Sequence, residues 1–283
     1  MAHYGICPIS IAPLRSTPSN RSEMLSQLLF GEMVEILELK GRQWVKVRCC
    51  DDNFVAWMAV NQLKALTTAE YERYQAHFAY SLELFQPAMA TDHFLPLTLG
   101  AHLPDFDGMR FELGEIKYTY SGQAFFPAKV EATPEFVVKL ARRYLHAPYL
   151  WGGRSPMGID APGLTQMVYR MSGFDIPREA HRQLTLGETV DFVEQALPGD
   201  LAFFENKFNR INHTGIVLPD GQIIHAFGRV RIDNIDHFGI FNEELSRYTH
   251  RLRVIKRLPM RRTAPPSRNA DAVEPTVKQV ELF

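Results

Sequence analysis

The amino-acid sequence predicts an α+β protein, with two small all-β units leading and a helix-then-sheet domain following. Three observations carry this. Residues 1–66 and 82–130 consist of short alternating stretches broken by turn residues. Between 131 and 200 lie two segments with apolar residues at helical spacing. From 201 to 258 the strand pattern returns, and helices gathered ahead of an antiparallel sheet indicate α+β.

Within residues 1–66, Trp44-Val45-Lys46-Val47-Arg48 alternates and Phe54-Val55-Ala56-Trp57-Met58 is rich in strand formers, with Asp51-Asp52-Asn53 as the turn between them. A unit of this length closes as a small barrel, and Trp44 and Trp57 are expected to fill its core. Residues 67–81 are expected to be a helical linker, starting from a Thr67 cap. In 82–130, Met109, Phe111 and Leu113 alternate with Arg110 and Glu112, and after Gly114 the pattern resumes at Ile116, Tyr118 and Tyr120.

In the third domain, 131–260, Thr133-Pro134-Glu135 caps and opens a helix whose apolar face is Phe136, Val137, Leu140, Ala141 and Tyr144. A second helix, with Leu164, Met167, Val168 and Met171 on one side, follows Asp160 in the N-cap position. Strands are predicted at 201–204, 213–218, 222–227 and 251–258, with Pro219-Asp220-Gly221 as a hairpin turn. From 261 to 283 the chain is Arg, Thr, Ala, Pro and Ser without periodicity, which predicts a disordered tail.

The composition excludes several classes. The chain has 283 residues, 46% hydrophobic and 22% charged, which is ordinary for a globular protein of two or three domains. A net charge of −1 gives no electrostatic case for nucleic acid or an anionic membrane. No apolar run is long enough to predict a membrane span. Met1 to Pro8 lacks a basic region followed by an apolar core, and the cysteines (Cys7, Cys49, Cys50) are odd in number with two adjacent; both point to a reducing, cytoplasmic setting. No CxxC or CxxH spacing supports zinc, so neither metal nor cofactor is expected.

The chemistry gathers on Tyr149-Leu150-Trp151-Gly152-Gly153, the loop to Asp160-Ala161-Pro162-Gly163, and the helix beyond. Unpaired N–H groups and the dipole make such a helix N-terminus a place for negative charge. This stretch resembles the signature of the NlpC-type papain-like cell-wall peptidases, which runs Tyr-x-Trp-Gly-Gly, a short loop, then Asp-Cys-Ser-Gly. Pro198-Gly199-Asp200-Leu201 and Asn212-His213-Thr214-Gly215-Ile216 resemble the family's second motif, and residues 1–66 are similar to the bacterial SH3-type modules that precede many such domains. Residues 82–130 read as a second, more divergent SH3-type module. The resemblance implies a papain-like domain at 131–260, with His213 as general base and His225 orienting it. The offset of 12 between these histidines is even, so across a hairpin both rings can share one sheet face.

The resemblance also implies what has changed. The nucleophile position is Ala161, and a methyl group cannot attack a carbonyl. Family members of this architecture typically cut the γ-D-glutamyl to diamino-acid bond of murein peptides, binding the free amine with the residue matching Asp160 and the Ser that follows the nucleophile, with a tyrosine matching Tyr149 beside the cleft. The Ser after the family's nucleophile is Pro162 here, and a later binding Ser, in Pro177-Arg178-Glu179-Ala180-His181-Arg182-Gln183, is His181. Three changes in one site imply a natural pseudoenzyme that binds a murein-derived or related peptide. The alternatives are an active hydrolase seen as an engineered Cys-to-Ala form, or one using Thr165 or Ser155 as nucleophile. A scaffold working through its β units alone is a third. Oligomeric state is not addressed by the sequence.

Overall fold

The computed structural model describes residues 3–260; the expected tail at 261–283 lies outside the described residues. The first unit is a seven-stranded antiparallel sheet in the order Met24–Leu29, Ile11–Arg15, Val55–Ala59, Trp44–Cys49, Met33–Lys40, Tyr4–Ile6, Lys64–Leu66. Its core is Leu14, Leu28, Val34, Val45, Val47 and Met58 with their neighbours. The expectation that Trp44 and Trp57 fill this core is corrected. Strand alternation turns Val45 and Val47 inward, so Trp44, Lys46 and Trp57 fall on the opposite, half-buried face.

Helix α1, Thr68–Ala76, begins with a full capping box between Thr67 and Glu70. It is shorter than the predicted linker. Residues Phe78–Ser81 form a strand, because their apolar side chains pair and bury against His102–Pro104 and Ala124–Phe125. The second β unit therefore starts at 78. It adds a four-stranded sheet, Phe94–Thr98, Phe85–Met89, Ile116–Thr119, Arg110–Leu113. Ile6, Phe30, Met33 and Leu66 of the first unit share its core, so the two units pack as one body.

Helix α2, Pro134–Arg143, starts on the Thr133 hydroxyl and buries Val137, Leu140 and Ala141. Helix α3, Ala161–Met171, starts on Asp160, whose carboxylate accepts the Gly163 N–H. Apart from half-buried Pro162, α3 is buried on every side, more than the one apolar face predicted. Helix α4, Ala180–Gln183, is a single turn. The sheet runs Glu188–Val190, Arg247–Arg257, Leu201–Glu205, Ile211–Leu218, Gln222–Phe227, Arg229–Ile235, Gly239–Asn242, and the last strand also pairs with Arg247–Arg257, closing a barrel. Its outer side packs on α2 and α3 through Leu201, Phe203, Ile216 and Ile224.

The first β unit is fastened to the third domain by buried charge. Glu32 takes two hydrogen bonds from Arg154, at 2.7 and 2.9 Å, and one from Arg170 at 3.1 Å. Burial would raise the Glu32 pKa, but the two guanidiniums bring it down to about 2. Arg170 also pairs with Asp51, and Gln166 of α3 donates to Asp52.

Candidate functional site

A cleft of about 930 Å³ opens between the first β unit and the third domain. One wall is the loop and start of α3. Gly152 has φ +77°, and a Cβ there would lie 2.4 Å from the Met24 carbonyl oxygen; a Cβ on Gly153 would lie 2.3 Å from that of Gly158. Only glycine fits either position. The pair lets the chain fold tightly against the first β unit, where Trp151 Nε1 donates to Glu23 and the Arg154 N–H to Gln27. The loop then returns as a two-residue hairpin, Arg154–Ser155 against Gly158–Ile159, and delivers Asp160 and Ala161 to the cleft.

Asp160 is buried and heavily used. Its Oδ1 accepts from Gly163, and its Oδ2 accepts from the Gly152 N–H and from Arg178 at 2.6 Å. It therefore acts first as the clasp between loop, helix and the 177–183 segment. Ala161 is 2% exposed, and its methyl packs in the core at the cleft floor. Pro162 contributes no N–H to the first turn; the N–H groups of Gly163 and Leu164 are taken by Asp160. Tyr149, half exposed, and His181, exposed on α4, both line the cleft, as do Arg178 and Glu179.

The opposite wall is the barrel. Gly215 pairs with His225, so His213, two residues earlier, projects from the same face as His225. His213 Nε2 and His225 Nδ1 are 2.8 Å apart, and His225 Nε2 lies 3.0 Å from Asp233 Oδ2. The carboxylate fixes the tautomers of neutral rings. His225 gives its Nε2 proton to Asp233, accepts on Nδ1 from His213, and leaves His213 Nδ1 as a bare lone pair. Asp233 is itself held by two bonds from Arg231 and one from Asn242. Burial, then the neighbouring His250 and His225, depresses the His213 pKa well below 6.5. Burial also lowers that of His225, against the pull of Asp233. A group of this kind can take a proton from a neighbouring thiol or hydroxyl.

Two members of this wall were absent from the sequence reading. Asp233 lies on the strand Arg229–Ile235, whose alternation of charged and apolar residues was a usable signal. His250 stacks on His213 with ring centroids 3.8 Å apart and also lines the cleft. Its pKa is lowered to about 4, by burial first and then by His225. Nothing in its local sequence marks it out.

The other candidate nucleophiles are committed elsewhere. Thr165 is fully buried; its hydroxyl lies 2.7 Å from Gln183 Oε1 and 3.0 Å from the Pro162 carbonyl. Ser155 is buried and accepts the Met157 N–H. The three cysteines all belong to the first β unit and none lines the cleft. Burial pushes the thiol of Cys7 up to about 12 and that of Cys50 to about 11, so neither is a ready thiolate.

Comparison with known proteins agrees with this architecture. The NlpC/P60 family model matches residues 146–248, and the bacterial dipeptidyl-peptidase SH3 domain model matches 14–63. The chain is 27% identical over 256 residues to dipeptidyl-peptidase 6 of Lysinibacillus sphaericus, covering 80% of this chain and 89% of that one. It is 25% identical to a gamma-D-glutamyl-L-lysine dipeptidyl-peptidase of Bacillus subtilis, covering 71% of each. A solved NlpC/P60 family protein from Bacillus cereus, 20% identical, superposes with a TM-score of 0.77 over 90% of this chain and all of that one. The α+β chain thus carries an NlpC/P60 domain, the domain of a family of peptidoglycan peptide hydrolases, behind a bacterial SH3 domain.

Proposed function

We propose that this protein binds a peptidoglycan-derived peptide in the cleft and does not cleave it. One observation carries the proposal: the residue at the start of α3, in the cleft with His213, is Ala161. His213 Nδ1 offers a base, but the methyl group has no proton to yield and no lone pair to attack with. The environment supports the same reading. Thr165 and Ser155 already have partners, no cysteine reaches the cleft, and the first turn of α3 has few N–H groups left for an oxyanion.

Binding is the part the cleft retains. Tyr149 and Glu179 supply polar groups, Trp151 and Phe227 supply aromatic surface, and a peptide amine can approach Asp160 beside Arg178. By kinship with the gamma-D-glutamyl-L-lysine dipeptidyl-peptidase, the ligand class is a short peptide with an N-terminal amine and a γ-D-glutamyl link to a diamino acid. A reducing, cytoplasmic location goes with this proposal. The free thiols of buried Cys7 and Cys49 support it, and fractionation that recovers the native protein outside the cytoplasm would contradict it.

The test is a rebuilding series assayed on L-Ala-γ-D-Glu-diaminopimelate. Ala161→Cys alone should give little turnover, because Pro162 and His181 still shape the pocket. Adding Pro162→Ser and His181→Ser should raise it stepwise. Full activity from Ala161→Cys alone would favour the reading as an engineered form of an active peptidase. Cleavage by the unmodified chain, lost in Thr165→Ala, would establish a different nucleophile.

A further inference from the structure

We propose that His213, His225 and His250 form a binding site for a divalent transition-metal ion of the zinc type. One nitrogen from each ring lies within 4.8 Å of the others. The nitrogens that face one another are set by the bonds around them. Asp233 engages His225 Nε2, which turns His225 Nδ1 toward the other rings, and His250 Nδ1 is bonded to the Thr249 hydroxyl, which leaves Nε2. His213 Nε2 is already 2.8 Å from His225 Nδ1.

The chemistry of this donor set suits the ion. Imidazole nitrogen is a preferred ligand for zinc, copper and nickel. All three rings have depressed pKa values, so their lone pairs need not be freed of a proton near neutrality. Behind His225 stands a carboxylate, Asp233, anchored by Arg231 and Asn242; a carboxylate behind a ligating histidine fixes ring orientation and strengthens the ligand. His213 and His250 line the cleft while His225 is fully buried, so a fourth coordination position would face the cleft. The other cluster of ligand-type residues among the described ones, Glu32, Asp51 and His102, is already occupied by the guanidiniums of Arg154 and Arg170.

Metal entry asks for a specific rearrangement. Zinc–nitrogen bonds of about 2.0–2.1 Å in a tetrahedron set the nitrogens roughly 3.3 Å apart. The His213–His225 pair must open slightly, with the His213 proton moving to Nδ1. His250 must tilt out of its stack on His213, which its place at the half-buried cleft edge permits. The site is independent of whether the cleft binds a peptide.

The experiment uses full-length, untagged, chelator-treated protein titrated with Co²⁺ and Zn²⁺. Co²⁺ should bind one equivalent and give the intense visible bands of tetrahedral nitrogen coordination, and Zn²⁺ should displace it. His250→Phe keeps an aromatic ring against Phe204 and Phe227 and removes the ligand; it should abolish the bands while the far-UV circular dichroism is unchanged. Asp233→Asn should weaken binding roughly 10–100-fold. No binding of either ion by the wild-type chain would overturn the proposal. So would equal binding by His250→Phe, which would put the metal elsewhere.

Discussion

The two walls of the cleft are built differently. On the barrel wall, His213, His225, Asp233, Arg231 and Asn242 form an unbroken hydrogen-bonded chain. On the helix wall, the residues that the family resemblance marks for chemistry read Ala161, Pro162 and His181. The difference has a physical cause. These groups satisfy one another, and all but half-buried Arg231 are buried, so removing one strands another at about 1–3 kcal/mol. Position 161 has no such neighbour to strand; a methyl group there packs in the core, and Pro162 sits where a helix accepts proline without losing a hydrogen bond. The histidine wall is therefore weak evidence of catalysis by itself, since its hydrogen bonds also serve stability.

The largest effect should come from the clamp that holds the helix wall against the first β unit. Glu32→Ala leaves Arg154 and Arg170 buried without their shared carboxylate and should cost roughly 3–5 kcal/mol in urea unfolding. Next comes the barrel wall. His225→Ala should destabilise by about 2–4 kcal/mol, through the cavity and the stranded His213 and Asp233. If it were harmless, the account of the barrel wall as a stabilising hydrogen-bonded chain would fail.

Acid should then separate the walls. The three histidines have folded pKa values below 6.5, so the unfolded chain binds more protons as pH falls past that value. Their contribution is whole above pH 6.5 and is lost progressively as pH falls below it, that of His250 by about pH 4. Glu32, lowered from 4.5 to about 2, loses its contribution in a lower window, below pH 4.5. Unfolding free energy should thus fall in two stages, and His250→Phe should flatten the upper one. The smallest effect is expected at the start of α3: Ala161→Cys should change stability by less than about 1 kcal/mol, measured in the same titration.

Much of this was legible in the sequence, for local reasons. Caps at Thr67, Thr133 and Asp160 are short-range and hold as read. The even spacing of His213 and His225 needs only one hairpin turn to bring the rings together. What could not be read depends on distant parts of the chain. Glu32 follows a turn glycine and looks like surface, yet its partners are 122 and 138 residues away. His250 reaches His213 only because Arg247–Arg257 pairs within the closed barrel. The linker reading failed at Phe78–Ser81, where tertiary pairing claimed a segment that sequence continuity had assigned to the helix.

The most direct measurement of the central claim takes the unmodified chain and L-Ala-γ-D-Glu-diaminopimelate, following binding by calorimetry and product by mass spectrometry in one sample. Saturable binding with no released diaminopimelate is the expected result. Release of diaminopimelate by the chain with Ala161 in place would contradict it.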